Sequence, residues 1–218
     1  MKYLDDFIGM LFPNLCHLCG NNLFRHEKSL CSLCIYKLPK TNFHLHQNNP
    51  VYKIFWGRVP INAAASFLHF KKKGMVQSLI HQFKYKGKKD IGFLLGKLYG
   101  YELMQSKRFE EIDLIIPVPL HRKKLLKRGF NQSAVFASGL SNSMNIKMDA
   151  NNLSRSVFSE TQTKKSRLER WKNVEHVFRL KRPEELQEKK FYWWMMWSPP
   201  VQQWKPVFRH CKRQAGCR

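Results

Sequence analysis
The sequence predicts an α/β protein, a parallel sheet flanked by helices with a small metal-binding ribbon at its N-terminus. Three observations carry this. Ile112-Asp113-Leu114-Ile115-Ile116-Pro117-Val118-Pro119 is apolar without alternation, as in a parallel strand buried on both faces. Met75, Val76, Leu79, Ile80 and Phe83, then Ile91, Leu94, Leu95 and Leu98, recur at helical spacing. Four cysteines fall in two C-x2-C pairs separated by eleven residues.

The cysteine pairs come first along the chain. Cys16-His17-Leu18-Cys19-Gly20 and Cys31-Ser32-Leu33-Cys34 each put two thiolates on one side of a tight turn. Two such knuckles close a tetrahedron around zinc. The gap leaves room for a short hairpin, and Gly20 supplies the positive φ that such a turn needs. His17 and His26 are alternative ligands. Four protein ligands leave no open position, so the metal is expected to be structural. Before the ribbon, Leu4, Phe7, Ile8, Leu11 and Phe12 have helical spacing and are expected to pack on it or on the main domain; a membrane role is the other reading.

The pattern changes after Asn49-Pro50. We divide the chain into 1–50 (helix and ribbon), 51–187 (main domain) and 188–218 (tail). Ala63 to Phe70 reads as a strand. Lys71-Lys72-Lys73-Gly74 is a turn, and the two helices follow, joined by the basic loop Lys84-Tyr85-Lys86-Gly87-Lys88-Lys89. That loop is either solvated linker or an anion contact. Pro117 and Pro119 end the central strand and stiffen its turn, and the carboxyl end of a parallel strand is where α/β proteins place ligands. Leu120 to Gln132 is dense in base, and Ser133 to Leu140 has helical spacing. The polar stretch from Leu153 to Asn173 reads as a surface loop or as a mobile loop closing over a substrate.

The 218 residues suffice for a full core. A net charge of +24 implies polyanionic partners or phosphorylated ligands. No apolar run reaches transmembrane length, and Asp5 and Asp6 stand where a signal peptide carries base. The cytoplasm is therefore the expected compartment.

The tail departs from the rest in composition. Four of the six tryptophans lie between Trp193 and Trp204, and no acidic residue follows Glu188. Seven of the positive charges, on Lys189, Lys190, Lys205, Arg209, Lys212, Arg213 and Arg218, also lie there. Tryptophan and methionine have single codons, so Trp193-Trp194-Met195-Met196-Trp197 fixes its nucleotides as TGG TGG ATG ATG TGG. Read from each third base, the run through Ser198 must give Val-Asp-Asp-Val-Val. Phe191 and Tyr192 give Leu-Leu before it, and synonymous choices further on permit Thr-Thr-Gly-Ala-Thr. The phase is that left by loss of one base, and the A-rich codons of Glu188-Lys189-Lys190 are a place for such a slip. The competing readings are a genuine aromatic and basic tail, either stacking on nucleic acid or anchoring at an interface.

Taken together these residues resemble the ComF family, phosphoribosyltransferase-like bacterial proteins associated with competence and DNA uptake. The resemblance rests on the Cys16–Cys34 ribbon, Phe83-Lys84-Tyr85-Lys86-Gly87, Pro117-Val118-Pro119-Leu120-His121, Arg128-Gly129-Phe130-Asn131-Gln132, and Thr161-Gln162-Thr163 with Arg170 and Asn173. It implies a zinc ribbon followed by a type I phosphoribosyltransferase fold. In that fold the turn from Pro117 to His121 faces the pyrophosphate of phosphoribosyl pyrophosphate, accompanied by magnesium, and Thr161, Gln162 and Arg170 belong to a flexible loop over the site. Lys84, Arg122, Arg128 and Arg170 are the cations expected to meet the ligand, each read equally as a solvated surface base. The shifted-frame acidic strand end corresponds to the ribose- and phosphate-binding loop, which the chain as written does not contain.

The expected product is thus a C-terminally truncated transferase scaffold, inactive and prone to aggregate through a bare sheet edge. The alternative is a non-catalytic accessory factor binding single-stranded DNA or competence proteins. A third reading takes the tail as genuine and functional.

Overall fold
The computed structural model describes residues 13–57, 61–155 and 178–186, and the backbone of 191–194. The N-terminal helical pattern at Leu4 to Phe12 lies outside the described residues.

The first knuckle closes on itself. Cys16 N–H donates to the Asn21 carbonyl at 2.8 Å and Leu23 N–H to the Asn14 carbonyl at 2.7 Å, around Gly20 at φ 78°. The short hairpin thus forms within the first knuckle, between Leu15 and Asn22. The second knuckle is a helix start. Cys31 is the N-cap of α1 (Ser32–Tyr36), and the Glu27 carboxylate takes bonds from Ser32 N–H and Oγ, each 2.6 Å, with Phe24 N–H on its other oxygen at 3.0 Å. Hydrogen bonding by Ser32 and by the Phe24 backbone lowers the Glu27 pKa.

Asn49 ties ribbon to main body. It is buried, its Nδ2 donates to the Phe43, His46 and Ala64 carbonyls at 3.1, 2.9 and 2.7 Å, and its Oδ1 caps α2 (Pro50–Phe55) by accepting from Tyr52 N–H. Asn49→Ala removes a cap and strands the His46 and Ala64 carbonyls, while the Phe43 carbonyl keeps the His46 N–H. The expected loss is about 2–3 kcal/mol, read as a lower urea midpoint at unchanged slope.

Ala63 to Phe70 is not a strand. Among the described residues its backbone pairs with backbone over three residues: Thr41 N–H donates to the Phe67 carbonyl and His69 N–H to the Pro39 carbonyl, with one bridge between Lys40 and Leu68. Apolar spacing reports burial of Phe67 and cannot report a missing partner strand.

Both helical readings hold. α3 (Met75–Tyr85) buries Val76, Leu79 and Phe83, and α4 (Lys89–Leu103) buries Ile91, Leu95, Tyr99 and Leu103. Helix α4 packs along α6 (Gln132–Met144). The two axes approach closely because Gly96 and Gly100, four residues apart on α4, face α6, with Gly139 of α6 against Gly96; Gly92 lies against the Phe83 ring of α3. A methyl group built at Gly96 would collide with the Phe136 carbonyl oxygen, and one at Gly139 with the Phe93 carbonyl.

Strand β1 (Leu114–Pro117) is buried at every position. It pairs in parallel with β2 (Lys147–Met148) on one side and β5 (Phe191–Trp194) on the other. Between them β3 (Leu153–Arg155) and β4 (Phe178–Leu180) pair antiparallel. Their junction is held by Asn152, fully buried, which exchanges two bonds of 2.9 Å with the Arg182 backbone. A mixed α/β protein with a small parallel sheet is therefore what forms. One expectation fails: the edge of β1 is not bare, because Phe191–Trp194 covers it from Leu114 to Pro117. Aromatic residues favour extended backbone, and pairing needs only N–H and C=O groups, so a strand persists there. Residues 195–218 lie outside the described residues.

One core serves the ribbon and the main body. Cys16, Leu30, Cys31, Cys34 and Leu38 share a cluster with Leu79, Ile91, Leu95, Tyr99 and Leu140. Among the described residues no helix is long and apolar enough to cross a membrane.

Candidate metal centre and anion site
The Sγ atoms of Cys16, Cys19, Cys31 and Cys34 all lie within 4.8 Å of one another. Cys19 and Cys31 are 3.7 Å apart. A tetrahedron with metal–sulfur bonds of about 2.3 Å has edges of about 3.8 Å, so the donor set fits a tetrahedral, thiophilic ion. Burial acts to raise the Cys16 thiol, but backbone N–H groups of Cys19, Cys31 and Leu18 outweigh it and bring it to about 6. Burial and its neighbouring thiols push Cys34 far upward. The four sulfurs thus share negative charge unequally, a conflict that a dication relieves. Neither alternative ligand joins them: among the described residues the metal-type group consists of the four cysteines alone. His26 stacks on Phe24 instead, ring centroids 6.0 Å apart and planes 1° from parallel. Burial, then the Lys88 charge, lowers the His17 pKa.

A second constellation lies at the carboxyl end of β1. His121 ends the proline-stiffened turn and caps α5 (Arg122–Arg128), its Nδ1 accepting from Lys123 N–H at 3.2 Å. This helix lies inside the basic run that the sequence left without secondary structure. Gly129, at φ 75°, closes it. Phe130 then turns inward against Phe83, centroids 5.6 Å apart. Asn131 caps α6 through Ser133 N–H, and its Nδ2 donates to the Val118 carbonyl at 3.1 Å, fastening the strand-end turn to α6. Buried Gln132 accepts from Arg128 Nη1 at 2.9 Å. The Arg128 guanidinium also lies 5.7 Å from the centre of the Tyr85 ring.

Cations converge here. Burial and then the charge of Arg128 lower the Lys84 pKa. Burial, then Arg155, then Arg128 lower that of Lys124. Burial lowers Arg155, and desolvation with Arg155, Lys123 and Lys124 lowers His121. Each shift disfavours the charged form; burial is the first cause throughout, and neighbouring cations add to it at Lys84, Lys124 and His121.

Of the residues expected to meet a ligand, Lys84, His121 and Arg128 belong to this group. Arg122 is exposed at the start of α5, Pro117 and Val118 are buried, and Pro119 is half-buried, so the proline turn contributes shape and backbone. Thr161, Gln162 and Arg170 lie outside the described residues. Lys124 and Arg155 were not singled out by sequence. Lys124 is one base among many, and Arg155 reaches the group only because β3 ends there, its guanidinium 5.6 Å from the centre of the Phe178 ring.

Comparison with known proteins gives a consistent set of relatives. The chain is 28% identical over 172 residues to the DNA utilization protein YhgH of Escherichia coli O6:H1 (strain CFT073), covering 78% of this chain and 72% of that protein. The protein of the same name from Escherichia coli K12 matches to the same extent. That of Salmonella typhi is 25% identical over 182 residues, covering 78% and 79%. No family model matches the chain, and no solved structure matches it.

Proposed function
We propose that this chain is a DNA-utilization protein built on a phosphoribosyltransferase-type scaffold of the ComF kind, which keeps the pyrophosphate half of its site and has lost the sugar-phosphate half. The observation that carries the reading is that Lys124 and Arg128 stand on the helix following the buried parallel strand, with Arg128 on the Tyr85 ring beside Lys84 and with Arg155 near Lys124. Pyrophosphate is the ligand such a group suits, with magnesium arriving on it. The ribbon metal is zinc and structural. Residues 1–50, 51–187 and 188–218 act as ribbon, scaffold and out-of-frame tail.

The register of β5 supports the lost-loop reading. With one base restored in the Lys189–Lys190 codons, positions 191–194 become Val/Ile-Leu-Leu-Val. That apolar run coincides with the four residues paired to Leu114–Pro117. The acidic pair would follow directly, beside the turn of Val118 and Pro119. In an intact protein it would hold ribose hydroxyls, and the backbone N–H groups of the next turn would hold the 5′-phosphate.

Calorimetry with magnesium tests this. The chain as written is expected to bind pyrophosphate and to bind phosphoribosyl pyrophosphate no better. Restoring the reading frame should tighten phosphoribosyl pyrophosphate at least tenfold while leaving pyrophosphate nearly unchanged. Lys124→Ala and Arg155→Ala should each weaken pyrophosphate about tenfold, the scale of one charge-assisted hydrogen bond. Equal binding by parent and both variants would remove the anion site from the account.

The Phe24 and His26 stack favours a second reading. Phe24 is 72% and Tyr36 85% exposed on the ribbon, beside Arg25, Lys28 and Lys37. Rings among bases suit a single strand of nucleic acid. Salt-sensitive binding of an oligonucleotide that Phe24→Ala weakens, with no pyrophosphate binding, would favour this accessory role.

A further inference from the structure
The ribbon and the anion site meet through one side chain. Gln82 stands two residues before Lys84 on α3, and its Nε2 donates to the His17 carbonyl. That carbonyl lies inside the first knuckle, between the ligand candidates Cys16 and Cys19. Its place is set by the same turn that aims their sulfurs, with Gly20 N–H on the Cys16 carbonyl at 2.9 Å. The next residue, Phe83, is 1% exposed and held between Phe130 and α4, where its ring lies against Gly92. The last turn of α3 is therefore fixed to the ribbon by Gln82 and to the scaffold by Phe83. Lys84 projects from the residue that follows.

We propose that Gln82 is a positioning residue through which the metal knuckle sets the placement of Lys84 in the anion site. This rests on the anion-site reading above. Val76, Leu79 and Phe83 fix the buried face of α3. The Gln82 bond to a backbone carbonyl of the knuckle adds a second fixed point in the turn that carries Lys84. The knuckle is rigid because its sulfurs converge on one point, so order at the metal centre passes to a lysine outside it. Such a contact gives the ribbon a role in ligand binding without any ribbon residue touching the ligand.

The test uses the full metal-loaded chain and Gln82→Met, which keeps length and helix preference and removes the donor. Gln77→Leu, on the same helix but bonded to Lys73 N–H at its start, is the control. Two quantities are read: pyrophosphate affinity, and the rate at which an amine reagent acetylates Lys84 relative to Lys71, followed by mass spectrometry. Gln82→Met should weaken pyrophosphate about fivefold, the scale of coupling through a residue that touches no ligand, and change the Lys84 rate, with metal content and cooperative melting kept. Gln77→Leu should change neither. If the parent does not bind pyrophosphate, the anion-site reading fails, and the Lys84 rate alone decides the positioning claim. An unchanged Lys84 rate in Gln82→Met overturns the proposal. So does loss of cooperative folding in that variant, which would make Gln82 a stability residue.

Discussion

Stripping the metal from the full chain is expected to unfold more than the ribbon. Structural zinc contributes about 10–16 kcal/mol to small four-ligand domains, and a whole domain is commonly stable by only about 5–15 kcal/mol. Here the effect cannot stay local. Cys16, Cys31 and Cys34 are buried in the same cluster as Leu79, Ile91, Leu95 and Tyr99, so a splayed knuckle opens the core under α3 and α4. Treatment with a strong chelator should abolish the cooperative thermal transition, and Cys34→Ser should reproduce the loss. Metal content and far-ultraviolet circular dichroism, measured on one sample, check this. An unchanged melt after verified metal release would show that the cluster is dispensable. The pH dependence has a definite sign. The Cys16 thiol, at about 6, is already ionised at neutral pH, whereas Cys34 is held protonated by burial and by its neighbouring thiols. Metal binding must expel that proton, so apparent affinity rises with pH through the neutral range.

The second large effect is expected at the seam between α4 and α6. Gly96→Ala gains about 1 kcal/mol in helix propensity, and on a free helix that would decide the sign. Here the new methyl group meets the Phe136 carbonyl and lies 3.2 Å from the Gly139 Cα. Both obstacles are backbone, so relief requires the helices to part. Overpacking of this kind costs up to about 3 kcal/mol and occasionally more, and it outweighs propensity. A net loss of about 2 kcal/mol should lower the melting temperature by about 4–8 °C in a chain of this size. Gly139→Ala should behave alike, because it meets the Phe93 carbonyl and lies 2.8 Å from Lys97 N. Gly100→Ala should cost less, since its obstacle is the Ser143 hydroxyl, which can rotate away. Equal melting of all three variants and the parent would mean that the helices are not in close contact.

These glycines mark where reading the sequence fell short. Spacing of Ile91, Leu94, Leu95 and Leu98 marks α4, but its four-residue glycine repeat at Gly92, Gly96 and Gly100 carries no apolar signal. The apolar count described the helix and missed what it packs against. Ala63–Phe70 failed in the opposite direction: the residues suit a strand, and nothing local says that only three residues stand opposite. The basic run after Pro119 conceals its own secondary structure, because charge density obscures the cap at His121 and the left-handed stop at Gly129. In Arg128-Gly129-Phe130-Asn131-Gln132, four of the five residues prove to be fasteners: a stop, a core ring, a cap and a support for the one cation. Sequence could not divide those roles, since a residue that holds a ligand and one that holds the holder look the same in a string.

The grouping of the four cysteines was legible in local chemistry. Two thiol pairs on tight turns have one common use, and the turns are short enough to be written in the residues themselves. The buried strand and its two flanking helices were legible for the same reason, because the period of apolar residues is set by backbone geometry within the element. Tertiary structure alone decided what lies next to what: Arg128 near Lys84, Arg155 near Lys124, Gln82 against the first knuckle, and Phe191–Trp194 along β1. Such contacts join residues tens of positions apart, and their energy depends on distance in space, on which spacing along the chain is silent.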